Sequence, residues 1–190
     1  AKYPGTTIEE KTGSVYVPIE NFKFRVQPGF ITEQNHYLAP APSWNDWVVY
    51  DTSGYKDQFF RANLKHGGKL LNVVRMLKTW NRSSGNVFDG YFLELLVKDV
   101  LDHYEIITYQ AAINYIFKAI LSDVALKKHD PANQSLQVVG LHNLENIVNA
   151  MIHVKSSYFV TKEAIQFEAD GNMRSALASW KQLFPHHFPD

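Results

Sequence analysis

Three cations, Arg75, Lys78 and Arg82, recur at three- and four-residue spacing in a segment whose apolar residues repeat like those of a helix. They close a strongly basic stretch: Lys56–Arg82 holds seven basic residues and one acid, a balance of +6. The next stretch reverses the sign, with five acids and one lysine over Asp89–Glu105, a balance of −4. A helical row of cations opposite an apolar stripe has two readings. It is a solvated face, or it is a cationic face aimed at phosphate.

Other chemistry finds less support. The chain has no cysteine, which excludes a disulfide scaffold, a thiolate zinc site and a cysteine nucleophile. Its eight histidines show no HExxH or other paired-ligand spacing, and His186-His187 sits in the C-terminal tail. Gly67-Gly68-Lys69 lacks the preceding glycine and trailing Ser/Thr of a P-loop and reads as a helix-start turn. Ser84 and Gly85 do not form a nucleophile elbow. Composition and spacing therefore predict no catalytic residue and no metal ligand.

The elements that must position these residues fall into two compositional halves, changing near Gly54. Before it, Ser14–Val17, Phe22–Val26 and Trp47–Tyr50 read as strands. The connection at Pro18–Asn21 makes the first two an antiparallel pair. Phe22, Phe24 and Val26 alternate with Lys23 and Arg25, predicting one buried and one polar face. These strands are too few for a self-sufficient sheet. From Tyr55 onward the pattern is helical: Lys69–Arg82, Gly90–Tyr104, Tyr109–Leu126, Leu144–Phe167 and Asn172–Phe184 each carry apolar residues at helical spacing. Lys127–Gly140, with Asp130-Pro131, reads as a loop. The fold class expected is α+β, with a β-rich part at 1–55 and a predominantly α-helical domain at 56–190.

The 190 residues carry 19 basic and 19 acidic side chains, and 45% of them are hydrophobic. That is enough apolar material for a sizeable core. Zero net charge argues against a surface built as one polyanion-binding field, so nucleic acid is not an expected partner. No apolar run nears the roughly 18 residues of a membrane span, and the polar start lacks a signal-peptide core. The expectation is a cytoplasmic protein with no membrane partner.

The segment Leu70–Val97 resembles the start of the helical half of the cGAS/DncV-like (oligoadenylate-synthase-like) nucleotidyltransferases of bacterial antiphage signalling. That family pattern is Arg-x-x-Lys-x-Trp, a variable loop, then a Ser/Gly-Tyr pair and Leu-Glu. Here these are Arg75, Lys78, Trp80, Gly90, Tyr91, Leu93 and Glu94. Tyr3-Pro4 and FKFRVQPGF resemble the family's last palm strands, which end in Val-x-Pro-x-Phe. Ala176–Trp180-Lys181, Leu183-Phe184 and Phe188-Pro189 resemble its closing motif.

The resemblance implies a partial nucleotidyltransferase palm at 1–55 and a C-terminal helical domain at 56–190. The implied function is use of NTPs such as ATP to make nucleotide second messengers. The Lys78 position then meets the donor triphosphate, with Arg75 beside it, and the Tyr91 position stacks on the nucleobase. The plainer alternative is a solvated Lys78 and a Tyr91 packed in the core.

Three departures stand out. Gly90 replaces a serine whose hydroxyl contacts phosphate. The Gly-Ser and paired acids of the family's first palm strands have no counterpart upstream of Tyr3. Arg25 occupies the place of the third metal-binding acid, and Glu20 lies too early to replace it. An intact member would use Mg²⁺ to activate a ribose hydroxyl and neutralise pyrophosphate; this chain alone is expected to hold none. The expectation divides between part of a longer enzyme, joined by an N-terminal palm segment or by a second copy, and a pseudoenzyme that binds nucleotide or protein. An unrelated helical interaction domain is the third reading.

Overall fold

A computed structural model describes residues 9–11, 14–20, 22–40, 46–102, 104–122, 127–130, 133–141 and 144–185. It divides into two compact units: residues 1–57 with 131–135, and residues 58–130 with 136–190. The fold class is α+β, as the sequence predicts. Tyr3-Pro4, Val124–Leu126, His186-His187 and Phe188-Pro189, all used in the sequence reading, lie outside the described residues.

The first unit is built from short antiparallel strands. β1 (Glu9–Lys11), β2 (Ser14–Ile19) and β3 (Phe22–Val26) form one sheet in that order. The register closes at Ile19↔Phe22, and Glu20 in the connection takes φ 53°. β4 (Phe30–Ile31), β5 (Tyr37–Pro40) and β6 (Trp47–Tyr50) form a second sheet. The three predicted strands are all present.

One expectation fails. Phe24 and Val26 do not lie on a buried face; they are 49% and 53% exposed. Alternation reports which side of a strand is apolar, not whether another layer covers it. Arg25, on the other face, donates from Nε to the buried Ser14 Oγ at 2.8 Å and from Nη2 to Gln27 Oε1 at 3.3 Å.

The second unit is a helical assembly. α1 (Thr52–Lys65), across which the division between units falls, passes to α2 (Leu70–Ser83) through a tight turn. Gly67 and Gly68 take φ of 59° and 82° there, a conformation costly for residues with a Cβ. Asn63 Oδ1 accepts from Leu71 N–H at 3.1 Å and so caps α2 from α1. Leu70, Val73, Val74, Leu77 and Trp80 form the buried stripe of α2.

α3 (Gly90–Leu101) begins at the N-cap Asp89, whose carboxylate accepts from Tyr91 and Phe92 N–H. It is apolar on most sides, burying Phe92, Leu93, Leu95, Leu96, Val97 and Leu101. α4 (Tyr109–Ser122) buries Ile113, Ile116, Phe117 and Ile120. The long α5 (Leu144–Ala169) presents small residues inward, Ala150, Ser157, Thr161 and Ala164, which permits close packing on α4 and α6 (Met173–Leu183).

Residues 127–139, expected as loop, are instead two paired strands, β7 (Lys127–Asp130) and β8 (Asn133–Val139). The polar run Lys127-Lys128-His129-Asp130 has no apolar alternation to betray a strand. What marks it is pairing with β8 and packing on α3, where Lys128 Nζ meets Asp99 at 3.4 Å.

His66, only 8% exposed at the end of α1, supplies a pH test. Burial, and then the neighbouring Lys65 ammonium, push its imidazole below the usual 6.5, against the smaller opposing pull of Asp102 and the Leu101 carbonyl. A lowered folded value favours the neutral ring. Its contribution to stability is therefore present above about pH 6.5 and is lost as pH falls toward the folded value. Urea unfolding between pH 7.5 and 5 is expected to show a smaller acid loss for His66→Gln than for the unsubstituted chain. Identical slopes would mean that His66 charges without penalty.

Candidate functional site

Lys78 lies on α2, on the flank of the buried stripe, and its ammonium is paired with Glu94 of α3. Glu94 follows Asp89 by five residues and so stands just above the first turn of α3. The basic and acidic stretches of the sequence thus meet where α2 packs on α3. Beside this pair opens a cavity of about 760 Å³. α2 contributes Lys78, Asn81 and Arg82; the α2–α3 connection adds Asn86, Val87, Phe88 and Asp89; Gly90, Gly140, Leu141 and Asn146 complete the wall.

The connection is held in place by a buried asparagine within α2. Asn81, 4% exposed, donates from Nδ2 to the Phe88 carbonyl and accepts at Oδ1 from Phe88 N–H, each at 2.9 Å. A buried amide whose donor and acceptor are both engaged fixes backbone geometry at little desolvation cost. The cavity floor is consequently set by the sequence Asn81…Phe88, and Asp89 at its rim is oriented by the α3 amides it caps.

Tyr91 turns its hydroxyl to the buried Asp130 of β7, donating to Oδ1 at 2.9 Å. Burial first, then this hydrogen bond and the charge of Asp130, with a smaller contribution from Glu94, raise the phenol above its ordinary range. It is a neutral donor at physiological pH. Its ring is half-buried, and it does not line the cavity. Arg75 does not line it either: that guanidinium is exposed and donates to Asn72 Oδ1 at 3.1 Å. Of the three residues to which the resemblance gives a role, Lys78, Arg75 and Tyr91, Lys78 alone lines this cavity; Arg82 of the cationic row lines it as well.

Asn81, Asn86, Asn146 and the pairing of Lys78 with Glu94 were not anticipated as site features, whereas Arg82 entered only as a member of the cationic row. Helical spacing put Arg82 in the same row as Lys78, and the sign reversal between α2 and α3 foreshadowed the ion pair. Asn146 lies 68 residues from Lys78 in sequence, and only the fold brings it near.

Gly90 offers a direct test of one departure. A Cβ added there would lie 3.8 Å from Lys78 Cε and 3.9 Å from Nζ, ordinary contact distances. Gly90→Ser is therefore expected to fold normally, and to gain up to about 1 kcal/mol from removing a glycine at a helical position. If Lys78 receives phosphate, the added hydroxyl should also tighten ATP binding by severalfold. A loss of stability on thermal unfolding would show that the space beside Lys78 is smaller than described.

No group of three His, Asp or Glu side chains among the described residues could hold a metal ion. Arg25 is engaged with Ser14 and Gln27. These residues do not fit a divalent-cation site.

The chain is α+β, with one unit of small antiparallel sheets and one helical unit that holds a Lys-lined cavity, and solved structures share that fold. Vibrio cholerae DncV cyclic AMP-GMP synthase, solved with nonhydrolyzable GTP, superposes with a TM-score of 0.78 over 100% of this chain and 55% of its own, at 16% identity. CdnC of E. coli MS115-1, solved with ATP, gives a TM-score of 0.75 over 96% of this chain and 66% of its own, at 14% identity. In sequence, a Bacillus cereus (strain VD146) protein named as a probable cyclic nucleotide synthase is 25% identical over 178 residues, or 87% of this chain. This chain spans about half the length of that relative, 51%. No protein-family model matches. The resemblance to cGAS/DncV-like nucleotidyltransferases thus holds in sequence and in fold. No helix among the described residues is long and apolar enough to cross a membrane.

Proposed function

We propose that this chain is the C-terminal, donor-nucleotide-holding portion of a nucleotidyltransferase-like protein that makes nucleotide second messengers from NTPs. The observation that carries the reading is Lys78, at the family spacing from Trp80 and Gly90-Tyr91, lining a cavity beside the N-terminus of α3. The nucleotides named with DncV and CdnC are a GTP analogue and ATP, and the same ligand class suits a cavity of this size and polarity here. In this reading Lys78 exchanges its Glu94 partner for phosphate, and Tyr91, next to the lining Gly90 but outside the lining itself, offers its ring to a base that extends past the cavity. Signalling in antiphage defence, in the cytoplasm, is the setting such chemistry suits.

A second reading rests on Arg25. A cation where metal chemistry needs a carboxylate favours a catalytically inactive pseudo-nucleotidyltransferase, acting as a nucleotide- or protein-binding module.

Calorimetric titration of the 190-residue chain with ATP and adenosine tests what both readings share. One phosphate contact and one stacked base, each about 1–3 kcal/mol, give an expected Kd on the order of 100 μM to 1 mM for ATP. Lys78→Ala should weaken ATP more than adenosine, whereas Tyr91→Ala should weaken both. ATP binding no better than adenosine, with Lys78→Ala silent, would overturn the nucleotide reading.

A further inference from the structure

Lys78 and Arg82 stand four residues apart, one turn of α2, and both line the cavity. Arg75, one turn away in the other direction, does not. The electrostatic states of the two lining cations differ. The Lys78 ammonium is already neutralised by Glu94. For Arg82 no ion pair is found among the described residues, and its guanidinium is exposed. The acid at the rim, Asp89, is turned to the Tyr91 and Phe92 amides it caps. Arg82 is therefore the lining cation whose charge is not tied up in an ion pair among the described residues. It is also the cation better shaped for phosphate, because a planar guanidinium can donate two parallel N–H bonds.

We infer that Arg82 is a phosphate-binding residue of this cavity, and that with Lys78 it selects nucleoside di- and triphosphates over monophosphates and nucleosides. The inference rests on the nucleotide reading above and deepens it. Arg82 is engaged first, at no cost in broken ion pairs. Lys78 takes a second phosphate only by leaving Glu94. The two residues are spaced by about 6 Å along the helix axis, four residues at roughly 1.5 Å each. That separation suits two phosphates of one chain better than two oxygens of one phosphate. A monophosphate can satisfy Arg82 but gains nothing from Lys78. Asn86 and Asn146, which also line the cavity, add amides suited to phosphate or ribose oxygens.

The experiment is a calorimetric series on the full 190-residue chain with ATP, ADP, AMP and adenosine, at low and moderate salt. Arg82→Gln, Arg82→Lys, Arg75→Gln and Lys78→Ala are measured beside it. Arg82→Gln should weaken ATP and ADP by about tenfold, the scale of a lost charged hydrogen bond, and should leave adenosine unchanged. Arg82→Lys should recover part of the loss, and Arg75→Gln should change nothing. ATP unchanged in Arg82→Gln but weakened in Lys78→Ala would overturn this inference while leaving the nucleotide reading intact. ATP indifferent to both substitutions would overturn both. Equal weakening of all four ligands in Arg82→Gln would assign Arg82 a structural role, and circular dichroism would show the altered fold; that too overturns the inference.

Discussion

Trp80→Ala is expected to lower the unfolding free energy by about 3–5 kcal/mol, among the largest single losses available to a chain whose total stability is about 5–15 kcal/mol. Trp80 is 2% exposed at the end of the α2 stripe. It meets Phe117 of α4 edge-on at 4.8 Å and Phe88 at 6.3 Å. Its Nε1 donates to Ser157 Oγ of α5 at 2.7 Å, so one side chain ties together α2, α4, α5 and the cavity-forming connection. Truncation leaves a void too large for helices to close and strips a buried hydroxyl of its donor. Trp80→Phe separates the two effects. It keeps much of the ring packing and should cost about 1–3 kcal/mol, mainly for the unsatisfied Ser157. Adding Ser157→Ala to Trp80→Phe should return part of that cost. Denaturant titration reads all four proteins; a Trp80→Ala midpoint close to the unsubstituted one would show that α2 is not anchored here.

Trp80 also shows what the sequence can and cannot convey. Its place in the apolar repeat of Lys69–Arg82 predicts burial, and so the helix was legible from spacing alone. Its partner Ser157 was not, because serine carries no periodic signal and stands 77 residues away. The same limit governs the candidate site. Lys78 was legible through the Arg-x-x-Lys-x-Trp spacing, and Arg82 through its place in the cationic row. Which of Arg75 and Arg82 faces the cavity depends on where α3 and the α2–α3 connection pack, and spacing of three or four residues is equally helical in both directions.

β7 and Asp130 were misread for a related reason. Lys127–Asp130 is polar throughout, and its strand state arises from pairing with β8. As a result Asp130, which orients Tyr91, looked like part of a loop. Phe24 and Val26 err in the opposite sense: their alternation is real, yet burial requires a covering layer that a strand's own sequence does not specify.

Gly140→Ala should destabilise the chain by about 1–3 kcal/mol although it adds only one methyl group. Gly140 follows β8 and lies against the ring of Phe92. An added Cβ would stand 2.6 Å from Phe92 Cδ1 and Cε1, far inside contact distance. The ring has little room to retreat, being fully buried and stacked on Phe88 with centroids 6.0 Å apart. Either Phe92 or the end of β8 must shift, and both belong to the cavity's support. Gly140 and Leu141 line the cavity, the Gly140 carbonyl accepts from Asp89 N–H at 3.5 Å, and Asp89 caps the helix that carries Phe92. Strain at Gly140 should accordingly reach the rim at Asp89 and Gly90, weakening any ATP binding along with stability. Shortening the obstructing ring distinguishes local strain from general damage. Phe92→Leu alone should be destabilising through lost packing, but Gly140→Ala combined with Phe92→Leu should lose less than the sum of the two, by at least about 0.5 kcal/mol. Strict additivity in thermal and denaturant unfolding, or a Gly140→Ala chain as stable as the original, would mean that β8 yields freely and that Gly140 does not set the position of α3.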